Sequence, residues 1–121
     1  MSALICVGLG GALGAMLRYG ISLLPYKGTF PLLTLATNVL GALIIGYIAG
    51  MAARKDMPTN LVLFIKTGVC GGFTTFSTFS LEAYTLFGKG HYAAAVLYMI
   101  LSVGFCLAGV IAGMYAAEHI G

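Results

Sequence analysis

Four apolar runs, each long enough to cross the hydrocarbon core of a bilayer as a helix, follow one another along this chain at residues 3–24, 32–53, 60–87 and 92–117. The breaks between them are short. Pro25-Tyr26-Lys27-Gly28-Thr29-Phe30-Pro31, Arg54-Lys55-Asp56-Met57-Pro58-Thr59 and Gly88-Lys89-Gly90-His91 each combine charge with Pro or Gly, which is loop chemistry. Composition agrees, since 60% of the 121 residues are hydrophobic and 7% charged, against roughly 25% charged in soluble domains. The expected fold is an all-α integral membrane protein in which residues 1–121 form a single four-helix transmembrane domain. The first run is too long for a cleavable signal and no Lys or Arg precedes it, so it is expected to remain as a helix.

Helices that alternate in direction put the N-terminus, the second loop and the C-terminus on one face of the membrane and the other two loops on the opposite face. Arg54, Lys55 and Lys66 fall on or near the first face; Arg18, Lys27 and Lys89 fall on or near the second. The positive-inside bias that normally fixes orientation is absent. A chain so balanced can insert both ways, and two oppositely oriented copies can pair in one bilayer. The net charge of +3 therefore reads as anchoring to lipid, with no nucleic-acid patch. Cys6, Cys70 and Cys106 lack metal-ligand spacing and read as small hydrophobes in apolar helices.

Eighteen glycines are many for this length, and four pairs stand four residues apart: Gly10/Gly14, Gly46/Gly50, Gly68/Gly72 and Gly109/Gly113. Such rows let helices approach closely, either within one chain or between chains. Four thin helices packed that tightly leave no lumen, so a conduction path has to run between subunits or along a groove.

Polar groups inside the spans are costly in lipid and are functional candidates by default. Arg18 lies in the first span and either snorkels to the interface or serves a vestibule or structural pairing. Asn38, in the second span, carries an amide that needs partners, from another helix or from a passing ion. Glu82 is either an interfacial carboxylate or a functional one. Tyr98 and Ser102 are one helical turn apart and share a face of the fourth span. Gly71-Gly72-Phe73-Thr74-Thr75-Phe76-Ser77-Thr78-Phe79-Ser80 is the densest feature, with five hydroxyls and three phenylalanines in ten residues. Its paired glycines invite a helix break, and a break frees backbone carbonyls for which a small cation is one partner. Beyond it, Phe76 and Phe79 share a helix face, and Ser77 and Thr78 form a polar stripe. Ring edges carry positive charge, so a dehydrated anion can be stabilised by aromatic edges and N–H or O–H donors without a cation to trap it.

Three motifs carry a resemblance to the Fluc family of fluoride channels, also called CrcB-type: Gly10-Gly11-Ala12-Leu13-Gly14-Ala15-Met16-Leu17-Arg18-Tyr19, then Thr34 through Asn38 to Gly41 and Gly46, then Gly71 to Phe79 with Glu82. Leu33 stands where that family often has Gly, and Leu43 where it often has Phe. The resemblance implies a passive fluoride channel in the inner (plasma) membrane, built as an antiparallel dual-topology homodimer with two pores. It implies a third helix broken near Gly71–Thr75 and a structural sodium ion at the centre of the dimer, held by the backbone oxygens of Gly71 and Thr74. Phe76 and Phe79 correspond to the family's ring-edge ligands, Asn38 to its pore-lining amide, and Ser77, Thr78, Tyr98 and Ser102 to its polar track. Arg18 and Glu82 match residues near the pore entrance.

In such proteins neutral hydrogen fluoride enters from acidic surroundings and dissociates inside. The inside-negative potential then drives fluoride out, by about 2.3 kcal/mol per charge at 100 mV, with no ATP. A small multidrug-type transporter shares the four helices and dual topology but relies on a carboxylate in its first helix, and residues 3–24 contain none. A non-catalytic membrane assembly subunit explains the glycines but not Asn38 and the hydroxyl run. No nucleophile paired with a base points to an enzyme, and His91 and His119 sit at a loop and a terminus.

Overall fold

The computed structural model describes residues 2–120, and its regular structure is helical throughout. Helix α1 (Ala3–Ser22) begins where Ser2 Oγ accepts a hydrogen bond from the Leu4 N–H at 3.1 Å, a standard N-cap. It stops two residues before the expected Leu24, in a turn that leads into Pro25, because a residue before proline is pushed out of the helical region. Helix α2 (Leu32–Arg54) follows Pro31, and the chain turns extended at Lys55. Helix α6 (Tyr92–His119) runs two residues beyond the expected Ala117, and the Arg54 guanidinium donates to the Ala117 carbonyl, a cation placed on the negative end of a helix.

The third span, Thr59–Gly88, is composite. Helix α3 (Thr59–Val62) passes into a π-helical stretch over Leu63–Cys70, then α4 (Gly71–Phe73), and α5 (Phe76–Gly88) completes it. Between α4 and α5, Thr74 (φ −84°, ψ 156°) and Thr75 (φ −149°, ψ 122°) are extended. The local sequence favours this. Gly71 and Gly72 have low helix propensity, and the threonine hydroxyls compete for backbone groups. Thr74 Oγ1 donates back to the Cys70 carbonyl at 2.8 Å, and Thr75 Oγ1 accepts from the Thr78 N–H at 3.1 Å and so caps α5. At its other end α5 closes in a Schellman motif, with Gly90 N–H on the Phe87 carbonyl and His91 N–H on the Leu86 carbonyl. Gly90 supplies the positive φ of 81° that this motif requires.

All four spans are long and apolar enough to cross a membrane. Their packing is set by the glycine rows, which work within the chain. A methyl added to Gly10 or Gly14 of α1 strikes the carbonyls of Phe64 or Val69, and one on Gly72 strikes the Gly11 carbonyl. The second seam pairs α2 with α6: a methyl on Gly46 strikes the Val110 carbonyl, and one on Gly113 strikes that of Leu43. Two backbone-to-backbone seams thus join α1 to the third span and α2 to α6, and α5 also leans on α6. Where α2, α5 and α6 meet, Leu35, Ala83, Leu86, Ala95 and Tyr98 form the buried core.

The seams predict an asymmetry between glycines. Gly46→Ala places a methyl 2.9 Å from Val110 Cα and should destabilise the fold by about 1–3 kcal/mol, as other overpacked sites do. Gly104→Ala, with nothing within 4 Å of the added methyl, should leave stability unchanged or raise it by up to about 1 kcal/mol through helix propensity. Thermal unfolding of both variants in detergent checks this.

Candidate functional site

A helix interrupted in mid-span leaves backbone groups that lipid cannot satisfy, so the site is best built by asking where those groups go. In an uninterrupted helix the Thr75 N–H would bond the Gly71 carbonyl. Here it donates to Asn38 Oδ1 at 2.8 Å, while Asn38 Nδ2 donates to the Thr75 carbonyl at 3.1 Å. One α2 side chain therefore holds both backbone groups of one extended residue. From α1, Arg18 Nε donates to the Gly72 carbonyl at 3.1 Å, replacing the helical donor that Phe76 no longer supplies. The Thr78 N–H, which would have reached Thr74, goes to the Thr75 hydroxyl instead. Gly71 and Thr74 are thus left with carbonyls relieved of their helical donors, and around Gly71 nothing lies within 4 Å of an added methyl.

One turn and more along α5, the half-buried Glu82 is held from two sides. Thr34 Oγ1 of α2 donates to Oε2 at 3.0 Å, and Tyr98 Oη of α6 donates to Oε1 at 2.9 Å. Tyr98 is fully buried. Its ring meets Phe30 edge-on at 5.5 Å and Phe79 at 5.0 Å, and Phe79 in turn lies 5.5 Å from Phe76. The two phenylalanines of α5 consequently differ: Phe79 packs on the core, whereas Phe76 is 78% exposed.

Three open spaces surround these groups. A mouth of about 540 Å³ is lined by Lys27, Lys89, Thr34 and Glu82 among others. A chamber of about 150 Å³ brings together Arg18, Thr34, Thr78 and Glu82. A groove of about 450 Å³ is lined by Asn38, Thr74, Phe76, Phe79 and Ser102, with no charged side chain on its walls. Ser102 Oγ is buried with no hydrogen-bond partner among the described residues. Arg18 and Glu82, which sequence reading places near an entrance, thus share the chamber. Ser77 is exposed and Tyr98 is committed to Glu82, and neither lines any of the three spaces.

Two residues of this arrangement were not singled out from sequence. Thr34 stands one helical turn before Asn38, on the same face of α2, a spacing that carries the signal. Thr75 is hidden among neighbouring hydroxyls, and nothing local distinguishes it from Thr74.

The geometry now meets the comparisons. A family described as "CrcB-like protein, Camphor Resistance (CrcB)" matches residues 5–114. The chain belongs to the CrcB family. Among CrcB relatives, the protein named "Fluoride-specific ion channel FluC" of Methylobacterium sp. (strain 4-46) is 46% identical over 120 residues, covering 97% of each chain. The protein of the same name from Roseobacter denitrificans is 44% identical over 125 residues, covering 99% of this chain and 98% of its own. That from Ruegeria sp. is 48% identical over 118 residues, covering 94% and 93%. With its four apolar spans, this CrcB chain is a multi-pass membrane protein.

The Asn38 clamp yields a specific expectation. Asn38→Asp keeps the acceptor for the Thr75 N–H but sets a carboxylate oxygen against the Thr75 carbonyl, where the amide donated. Losing a half-buried donor and opposing two oxygens should cost about 1–3 kcal/mol. Asn38→Ala, which loses both bonds, should cost a similar amount, and thermal unfolding of the two variants beside the unmodified protein tests it.

Proposed function

We propose that this chain is a passive, fluoride-selective ion channel, and not an enzyme, that exports fluoride from the cytoplasm across the bacterial inner membrane. The observation that carries the reading is the groove. It offers two phenylalanine rings, one unpartnered buried hydroxyl and no charged side chain. Such a wall stabilises a small anion by ring edges and weak donors, and lets it leave. The naming of the relatives as fluoride-specific ion channels supports the choice of ion.

In this reading the groove is half a pore. A second copy in the opposite orientation supplies the other wall, and the two-fold relation gives two pores per homodimer. Phe76, exposed in one chain, then lies against the second copy's groove. The balanced distribution of Arg18, Lys27 and Lys89 against Arg54, Lys55 and Lys66 suits insertion in both orientations. The two-residue interruption at Thr74 and Thr75 serves as the break at which the copies meet.

A structural sodium ion fits the freed carbonyls of Gly71 and Thr74, since hard cations take oxygen donors. No group of three His, Cys, Asp or Glu side chains able to hold a metal occurs among the described residues. Main-chain oxygen is the donor set in this reading, and the ion would supply neutralisation of the carbonyl dipoles. Asn38, Thr78 and Ser102 line the chamber or the groove on one chain, Tyr98 acts behind them by holding Glu82, and the exposed Ser77 joins the polar track only once the second copy covers it. Arg18 and Glu82 shape the approach, with Arg18 raising the local concentration of anions.

The test is fluoride efflux from liposomes holding only the purified protein, read with a fluoride electrode. Efflux that needs a potassium shunt and no proton gradient is expected; its absence would overturn the channel reading. Phe76→Ile should cut the flux at least tenfold while the protein still elutes as a dimer. Phe79→Ile should do so too, with an added loss of stability because Phe79 packs on Tyr98.

A further inference from the structure

The chamber and the groove have one lining residue in common, Thr75. On one side lie Arg18, Thr34, Thr78 and Glu82, and on the other the phenylalanines and Ser102. The mouth with Lys27 and Lys89 shares Ser22, Leu33, Thr34 and Glu82 with the chamber. The three spaces therefore form a series, wide and polar at the outside, narrow in the middle and uncharged within. Among the described residues, Thr75 alone lines both of its last two members.

Nearly every polar atom of Thr75 is already engaged. Its N–H and carbonyl are bound by Asn38, and its hydroxyl oxygen accepts from the Thr78 N–H. A threonine hydroxyl also carries one donor hydrogen. That hydrogen has no acceptor among the described residues, and capping pins the oxygen that bears it. A hydroxyl donor on a residue that lines both a charged chamber and an uncharged groove is matched to a small anion that sheds its last waters there. A neutral donor provides the hydrogen bond without the deep well that a cation would create.

We propose that Thr75 is the threshold of the conduction path, its hydroxyl donating to fluoride as the ion passes from the Arg18 chamber into the phenylalanine groove. This rests on the channel reading above. It adds a selectivity-determining residue that acts through its side chain, beside the neighbouring positions proposed to act through backbone oxygens or ring edges. An ion too large to approach a pinned hydroxyl between Asn38 and Thr78 gains less from it, so the residue contributes to discrimination as well as to rate.

Thr75 also caps α5, and the test must separate the two roles. Thr75→Ser keeps both the cap and the donor. Thr75→Gly removes the hydroxyl at a capping cost of only a few tenths of a kcal/mol, whereas Thr75→Val removes it and blocks the cap. Fluoride and chloride efflux from liposomes are measured for each variant that elutes like the unmodified protein. The Ser variant should keep at least half of the fluoride flux. The Gly variant should lose at least tenfold and show a smaller fluoride-to-chloride ratio, and Val should lose as much. Fluoride flux and ion ratio at the unmodified level in the Gly variant would overturn the proposal, as would a Ser variant as impaired as Gly. If Val fails to assemble, Gly against Ser still decides. Failure of the channel reading itself is distinguishable, because it appears as absent fluoride efflux in the unmodified protein.

Discussion

The rest of the site depends on one side chain making two hydrogen bonds to one residue, Asn38 to the N–H and carbonyl of Thr75. Extended backbone in the middle of a membrane span is untenable unless its polar groups find partners within the protein. The Asn38 amide, with a donor and an acceptor side by side, supplies both at once. Diverting the Thr75 N–H is also what relieves the Gly71 carbonyl, and fixing Thr75 is what lets its hydroxyl cap α5. The start of α5, and with it the placement of Phe76, Thr78, Phe79 and Glu82, follows from that clamp.

The clamp in turn needs helices that approach closely, and the glycine seams provide this. Gly10, Gly14 and Gly72 bring α1 against the third span, so that Arg18 reaches the Gly72 carbonyl. Gly46 and Gly113 bring α2 against α6, and α5 closes on both through Thr34, Glu82 and Tyr98. Lipid supplies little hydrophobic drive between helices, so contact area at small residues and buried polar ties carry the association. The polar site is consequently part of the structural core as well as a candidate ion path.

Much of this was legible from sequence for a simple reason. Apolar run length and Pro/Gly/charge punctuation report membrane spans directly, and Arg18, Asn38 and Glu82 stand out because a polar residue in such a run is rare. Identity alone could not say what they touch. That Asn38 bonds backbone rather than another side chain, or that Tyr98 is buried on Glu82 while Ser102 is left without a partner, depends on three helices meeting, and helical spacing within one segment carries no such information. The glycine pairs were ambiguous between packing within and between chains until their neighbours were known. The π-helical turns over Leu63–Cys70 could not be told from sequence, since the β-branched residues and glycine there are also common in the α-helical spans on either side.

The order of these ties along the chain has a bearing on how the protein is made. The third span has 30 residues, about 45 Å if wound as one α-helix, against a hydrocarbon core of about 30 Å. Both side chains that stabilise its interruption, Arg18 and Asn38, lie in spans that leave the ribosome first. When the glycine-rich segment enters the membrane, the groups that receive its unpaired backbone are already there. Only the Tyr98 hold on Glu82 has to wait for the last helix, so assembly of the site can proceed from the chain's beginning towards its end, with no stage at which the interruption stands alone in lipid.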